Sequence, residues 1–332
     1  MNSVAVLCSK VANRKLPTLP PLTAAEKSYL DRCDSIDLYY GGKGDPNYEK
    51  ARLCALYQVS LPETDELPSD NGREVGIGIL ATIYTNGKEV PRDLDLAIAI
   101  ACKRDAAPSA DDGYSHMIQL IDDSRRDPSK PYDFCSTVGL DFWKIVALKC
   151  QGTALAREER RRQADLSNLA AAWSAEQKTA LSSLLRARDA YEGASEDSDV
   201  ELCITGTASE QMEVRQGFDE LFAADMKEFV SGKLPHATHE EALRSDRRLN
   251  QTYRELIDGL VIEANKHGCA KPVEFVRESE RAWIGYRDAW IKLATLRWPK
   301  VSADSWSAFF SDERTKHLGE LIGSFIQASS QD

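Results

Sequence analysis

Residues 281–290 read RAWIGYRDAW, with two tryptophans, a tyrosine and two arginines in ten positions. Trp283, Tyr286 and Trp290 stand at i, i+3 and i+7, so a helix turns all three to one side. Aromatic residues at that spacing are more often a core seam than a ligand cage, and the core reading is adopted. Val276, Leu293 and Ala294 extend the stripe along a helix from about 273 to 298, which Pro299 closes.

A similar stripe precedes it, with Ala242, Asp246, Leu249, Tyr253, Leu256, Leu260 and Ala264 on one face. Another follows, with Trp306, Phe310, Leu318, Leu321 and Phe325 in a helix that Ser302 can cap. Three amphipathic helices in about ninety residues make an antiparallel helical bundle. THEE (238–241) reads as a capping box opening the first of them. His236 and His239 also form an H-x-x-H pair, but with no third ligand nearby the cap explains those letters with fewer assumptions.

Two arginines fall on the apolar stripes, Arg287 four residues after Trp283 and Arg314 four after Phe310. A guanidinium facing a core needs carboxylate or carbonyl partners, because an unpaired buried charge is very costly. Asp246 is a candidate partner, with Asn250 nearby. The favoured reading is a network of Asp246, Asn250, Trp283, Tyr286, Arg287, Trp290 and Arg314 that fixes helix register. The alternative has Arg287 and Arg314 converging on an acidic ligand. Arg281 and Asp288 point to the opposite, exposed face and are available for binding.

These residues carry a resemblance. LNQTYRELI, RESERAWIGYRDAW and SAFFSDERTKHL are similar to the small helical domains named for the lysozyme inhibitor LprI, whose signature runs LN-x-x-Y, Q-R-A-W-x-x-Y-R-D-A-C and T-x-x-R-x-x-x-L. The likeness spans about residues 236–325, through Leu249, Asn250, Tyr253, Arg281 to Trp283, Tyr286 to Ala289, Arg314 and Leu318. It implies an exported bacterial protein that binds lysozyme-type muramidases. Trp290 stands where many members carry cysteine, so the disulfide that the family places across these helices is expected to be missing.

Upstream, LLRARDAYEGAS (184–195) repeats the Arg-Asp-Ala-aromatic run, with Arg188 and Arg287 separated by 99 residues. Residues 153–235 therefore read as long helices, a degenerate copy of the C-terminal unit at 236–332. The acidic stretch 192–209 is read as a turn between helices, the second at about 210–231. Its run of Glu196, Asp197, Asp199 and Glu201 is most simply a solvated loop; the sharper reading is a docking patch for a basic protein.

Nearer the N-terminus, residues 38–55 (LYYGGKGDPNYEKARLCA) and 83–102 (IYTNGKEVPRDLDLAIAIAC) share one plan. A helix ends at glycine, Asp45 or Asp93 caps the next, and Ala51 or Ala97, 46 residues apart, lets two helices approach closely. The pattern resembles Sel-one-type tetratricopeptide-like repeats, scaffolds for protein contact, through Tyr84, Gly87, Val90, Asp93 and Ala97. Glu89 replaces the usual second glycine. A helical-hairpin repeat domain is thus expected over 30–152, after an extended segment at 1–29 that contains the proline-rich KLPTLPPLT and a Thr23–Glu26 capping box.

The fold class is therefore all-α, with helical-hairpin repeats followed by the bundle. The chain of 332 residues has a formal charge of −11, which argues against nucleic acid as the main partner. Residues 190–235 hold eleven Asp and Glu against three Lys and Arg, whereas 236–332 hold fifteen against fourteen. No apolar window is long enough for a membrane span. Of eight cysteines, Cys135 and Cys150 are the safest pair, and Cys33 and Cys54 are further disulfide candidates. The cysteines favour a periplasmic or secreted protein whose signal sequence is not in this chain. No nucleophile elbow, phosphate loop or metal motif is found, so no catalytic residue, metal or cofactor is assigned. The partner expected is a protein, a lysozyme or another peptidoglycan hydrolase, with an envelope scaffold as the alternative role.

Overall fold

The computed structural model describes residues 3–61, 72–103, 113–137, 144–199, 208–267 and 271–329. Among them there are fourteen helices and no strand. The chain divides into two compact units, Met1–Arg161 and Arg162–Asp332.

The first unit contains α1 (Ser3–Val11), α2 (Ala24–Leu30), α3 (Ser35–Tyr40), α4 (Tyr48–Ser60), α5 (Gly72–Asn86), α6 (Leu94–Ala101), α7 (Gly113–Asp123), α8 (Phe134–Thr137) and most of α9 (Lys144–Leu169). Two αα-hairpins, α3–α4 and α5–α6, share their turn chemistry. Gly41 and Gly87 adopt left-handed φ of 76° and 65°. The backbone N–H of Asn47 donates to Leu38, and that of Asp93 to Tyr84, at 2.8 and 2.9 Å. Asn47 and Asp93 then cap α4 and α6. Asn47 thus takes the role assigned to Asp45, because the cap must stand four residues before the buried alanine, as Asp93 stands before Ala97. Ala51 and Ala97 are both fully buried. Glu89 itself adopts φ of +54°, a left-handed conformation that glycine would take without strain.

Residues 14–23 carry no regular structure, and Thr23 and Glu26 form the capping box of α2. The segment before them is a helix rather than extended chain. Its apolar run buries Val4 and Val11 in the unit's core, and Cys8 is disulfide-bonded to Cys102 at the end of α6. Cys33–Cys54 and Cys135–Cys150 are the other two bridges of this unit. The Phe134 ring lies so close to α5 that a Cβ on Gly78 would stand 2.2 Å from it. Asn86, at the end of α5, clamps Tyr132 through both backbone groups, accepting from its N–H at 2.8 Å and donating to its carbonyl at 2.7 Å.

The second unit is the helical bundle: α10 (Ala175–Asp199), α11 (Ala208–Val230), α12 (His239–His267), α13 (Lys271–Arg297) and α14 (Ala303–Ser329). Ser174 and Gln177 exchange hydrogen bonds at the start of α10, and Thr238 and Glu241 do so at the start of α12. Ser302 accepts from the Ser305 N–H at 3.1 Å and caps α14, which continues unbroken past Ser311. Contacts between Gln177 and Leu296, Tyr191 and Tyr286, and Ser195 and Ser279 run in opposite directions along α10 and α13, so these helices are antiparallel. His239 pairs with Asp304 and Arg248 with Asp312, so α12 and α14 run parallel. α10 continues through Asp199, further than the turn-like reading of 192–209 allowed, because Glu192 to Asp199 retain helical hydrogen bonding despite their charge.

Candidate functional site

Tyr191, Phe222, Phe229, Trp283, Trp290, Trp306 and Phe310 form the aromatic centre of the bundle core. Trp290 has no exposure and lies 5.4 Å from Phe222, 5.5 Å from Phe229 and 5.5 Å from Phe310, ring centre to ring centre. The indole at this position therefore holds α11, α13 and α14 together by packing. Tyr286 is partly covered and stacks on Tyr191 at 5.6 Å, and burial raises its phenol above the usual range.

Arg314 is 2% exposed and is held by three helices. Its Nε donates to Glu280 at 3.0 Å, and its Nη atoms donate to the Tyr191 hydroxyl, to His317 Nδ1 at 3.0 Å and to Ser279 at 3.3 Å. The carboxylate is thus Glu280 of α13, not Asp246 of α12. Asp246 instead accepts from the Asn250 side chain on its own helix, at 2.8 Å through its carbonyl and 3.2 Å through its carboxylate. A stripe pattern shows that both residues sit near a core but cannot show which helix faces Arg314.

Arg287 is 21% exposed in its side chain and bonds its neighbour Asp288 at 2.9 and 3.0 Å. Its guanidinium carbon lies 5.3 Å from the centre of the Trp283 ring, and that of Arg314 lies 6.0 Å from the same ring. The two arginines therefore meet at one indole, each with its own carboxylate. Arg281 and Asp288 are exposed, at 63% and 60%, and Arg281 pairs with Glu274 at 3.1 Å. Arg188 repeats the local geometry of Arg287, bonding Asp189 at 2.9 and 3.1 Å and lying over Phe222. Glu196, Asp197 and Asp199 lie on the last turns of α10, and their side chains, like the whole of Glu201, fall outside the described residues.

Beside Arg314 a cavity of about 400 Å³ opens among α10, α11, α13 and α14. Trp283, Tyr286, Phe218 and Phe310 wall it, and Asp225 and Glu313 supply carboxylates. Burial raises the Asp225 carboxyl to about 7, helped by repulsion from Glu313 and Glu228. Nearby on α10, burial and the charge of Asp219 raise Glu192 to about 7, against the opposing pull of Arg215 and Arg188. The sequence reading missed Asp225, Glu313 and the aromatics from α10 and α11. One legible signal was passed over, the Ser174–Gln177 box that opens α10. Among the described residues no cluster of His, Cys, Asp and Glu could hold a metal ion.

Two of the helices around Arg314, α13 and α14, fall in the segment that the comparison with known proteins picks out. Residues 233–318 match the family model of lysozyme inhibitor LprI. The matched segment takes in α12, α13 and α14 as far as Leu318, so it contains Trp283, Arg287, Trp290 and Arg314. Tyr191, Phe218 and Asp225 lie outside it and come from α10 and α11. No curated protein and no solved structure matches the chain. Among the described residues no helix is long and apolar enough to cross a membrane.

Proposed function

We propose that this chain is an exported bacterial protein whose C-terminal bundle binds and inhibits lysozyme-type muramidases. The observation that carries the proposal is the match of residues 233–318 to the lysozyme inhibitor family model. Three disulfides fit an oxidising compartment, the periplasm or outside the cell. Residues 190–235, with eleven acidic against three basic side chains, suit a basic enzyme as partner, since opposite charge steers association. The paired geometry of Arg188–Asp189 and Arg287–Asp288 supports reading 153–235 as a degenerate copy of the C-terminal unit.

The test is a turbidity assay in which muramidases of several types are titrated with the folded chain. Dose-dependent protection of the cell-wall substrate, weakened by added salt, is the expected result. Failure to protect against any of them refutes the inhibitor reading. A second reading rests on the first unit, which has its own core and three disulfides outside the matched segment. Its αα-hairpins suit a scaffold that holds a second protein. In that case the chain captures an envelope protein without altering muramidase activity.

A further inference from the structure

The geometry points to the cavity among α10, α11, α13 and α14 as a receptor for one basic side chain, an arginine in the first instance, presented by a protein partner. This inference rests on the muramidase-binding reading and names the chemistry by which the partner is held.

Three observations converge on it. First, the walls are aromatic, from Trp283, Tyr286 and Phe218, and a planar guanidinium stacks on such rings. Second, Asp225 from α11 and Glu313 from α14 both line the cavity, and neither forms a hydrogen bond or ion pair with any described residue. The cationic group at the base, Arg314, is already taken up by Glu280, so it does not neutralise them. Lys316 and Glu320 also line the cavity and offset one another in charge. The lining is left with two carboxylates and no cation of its own to match them. Third, Leu221 on the lining is 61% exposed, the highest value among the exposed large hydrophobic residues described. An apolar residue on the lining of a charged slot gives a partner's surface a dry contact around the inserted side chain.

The volume, about 400 Å³, lies near the lower end of the roughly 300–1,000 Å³ range for ligand pockets, which suits one long side chain better than a folded peptide. Burial is the main cause that raises the Asp225 carboxyl, and repulsion from Glu313 and Glu228 adds to it. A guanidinium between Asp225 and Glu313 would donate charge-assisted hydrogen bonds to both carboxylates. A basic muramidase offers many such side chains on its surface.

The experiment compares the full chain with D225N/E313Q, L221D and the acidic-stretch variant E196Q/D197N/D199N. Affinity for a basic muramidase that the wild-type chain inhibits is read by biolayer interferometry. In parallel, N-acetyl-argininamide and its neutral isostere N-acetyl-citrullinamide are titrated against the tryptophan fluorescence of the chain alone. The expected result is at least a tenfold loss of muramidase affinity in D225N/E313Q and in L221D. The arginine amide should perturb the fluorescence of the wild type at least tenfold more strongly than the citrulline amide, and this preference should vanish in D225N/E313Q. That variant removes a repulsion, so its melting temperature should be no lower than that of the wild type, which separates lost binding from lost folding. Equal binding of the two amides, binding of neither, or an unchanged D225N/E313Q overturns the assignment. The inhibitor reading is decided by the turbidity assay and this one by the amide titration, so either can fail alone.

Discussion

Replacing Arg314 by methionine removes the charge that Glu280 is bonded to, together with the guanidinium that lies over the Tyr191 and Trp283 rings, and leaves an unbranched apolar side chain in its place. The Arg314 side chain is 1% exposed and that of Glu280 14%, so the pair is shielded from water and salt. Breaking such a pair from one side typically costs about 3–5 kcal/mol, because the remaining charge is buried without a counterion. Tyr191 and Ser279 lose their donor as well, which adds to the cost. With a urea m-value of about 1–3 kcal/mol/M, the unfolding midpoint should fall by about 1–5 M. Of the six tryptophans, all but Trp143 lie in the second unit, so tryptophan fluorescence of the full chain in urea follows that unit. The Glu280→Met single variant and the double variant complete a cycle. The double should be less destabilised than the sum of the singles by about 2–3 kcal/mol, since removing both charges leaves none unpaired. An R314M midpoint within 0.3 M of wild type, or strict additivity, would show that the pair is not a buried network.

Three further outcomes follow from the coordinates. Gly78→Ala should destabilise the first unit by about 1–3 kcal/mol, since the new Cβ would meet the Phe134 ring at 2.2 Å; thermal unfolding followed by circular dichroism with the disulfides intact reads this, and an unchanged melting point refutes the close packing. Glu89→Gly should stabilise the same unit by about 0.5–1 kcal/mol by relieving a left-handed φ of +54°, and a loss of stability would mean that the side chain contributes more than the strain costs. Asp225 and Glu192 both have carboxyls raised to about 7, so the folded second unit binds more protons than the unfolded chain between about pH 4 and 7. Their stabilising contribution is complete below the unfolded values and is lost as the pH rises through 7, a fall on the order of 1–3 kcal/mol after allowance for solvent screening. Asp225→Asn should flatten the urea midpoint between pH 5 and 8, and an unchanged slope would count against the crowding of carboxylates around the cavity.

Much of this architecture can be read from short-range pattern. The stripe of Trp283, Tyr286 and Trp290, the caps at Thr23 and Thr238, the Ser302 start of α14 and the Cys135–Cys150 bridge all follow from residues close together in the chain. A helix satisfies its backbone within a few residues, so its period, its ends and its buried face are written locally. The all-α class rests on the same signals, as does the placing of Ala51 and Ala97 in the two hairpins.

The pairings between helices are another matter. Glu280 rather than Asp246 meets Arg314 because of how α13 and α14 are rotated against each other, and a stripe some 100° wide leaves that rotation open. Cys8 reaches Cys102 across 94 residues, and α1 becomes a helix with a buried face once α6 offers it a surface. The cavity is the extreme case: its carboxylates come from α11 and α14, its rings from α10, α11, α13 and α14, and only the packing of these four helices brings them to one slot. The sequence by itself determined most of the helices, several of their caps and the family likeness of residues 233–318, because those depend on neighbours within a turn or two or on a motif in linear order. Only the tertiary structure decided which charges are paired and which are left facing a slot, because that depends on packing angles between helices that no local spacing records.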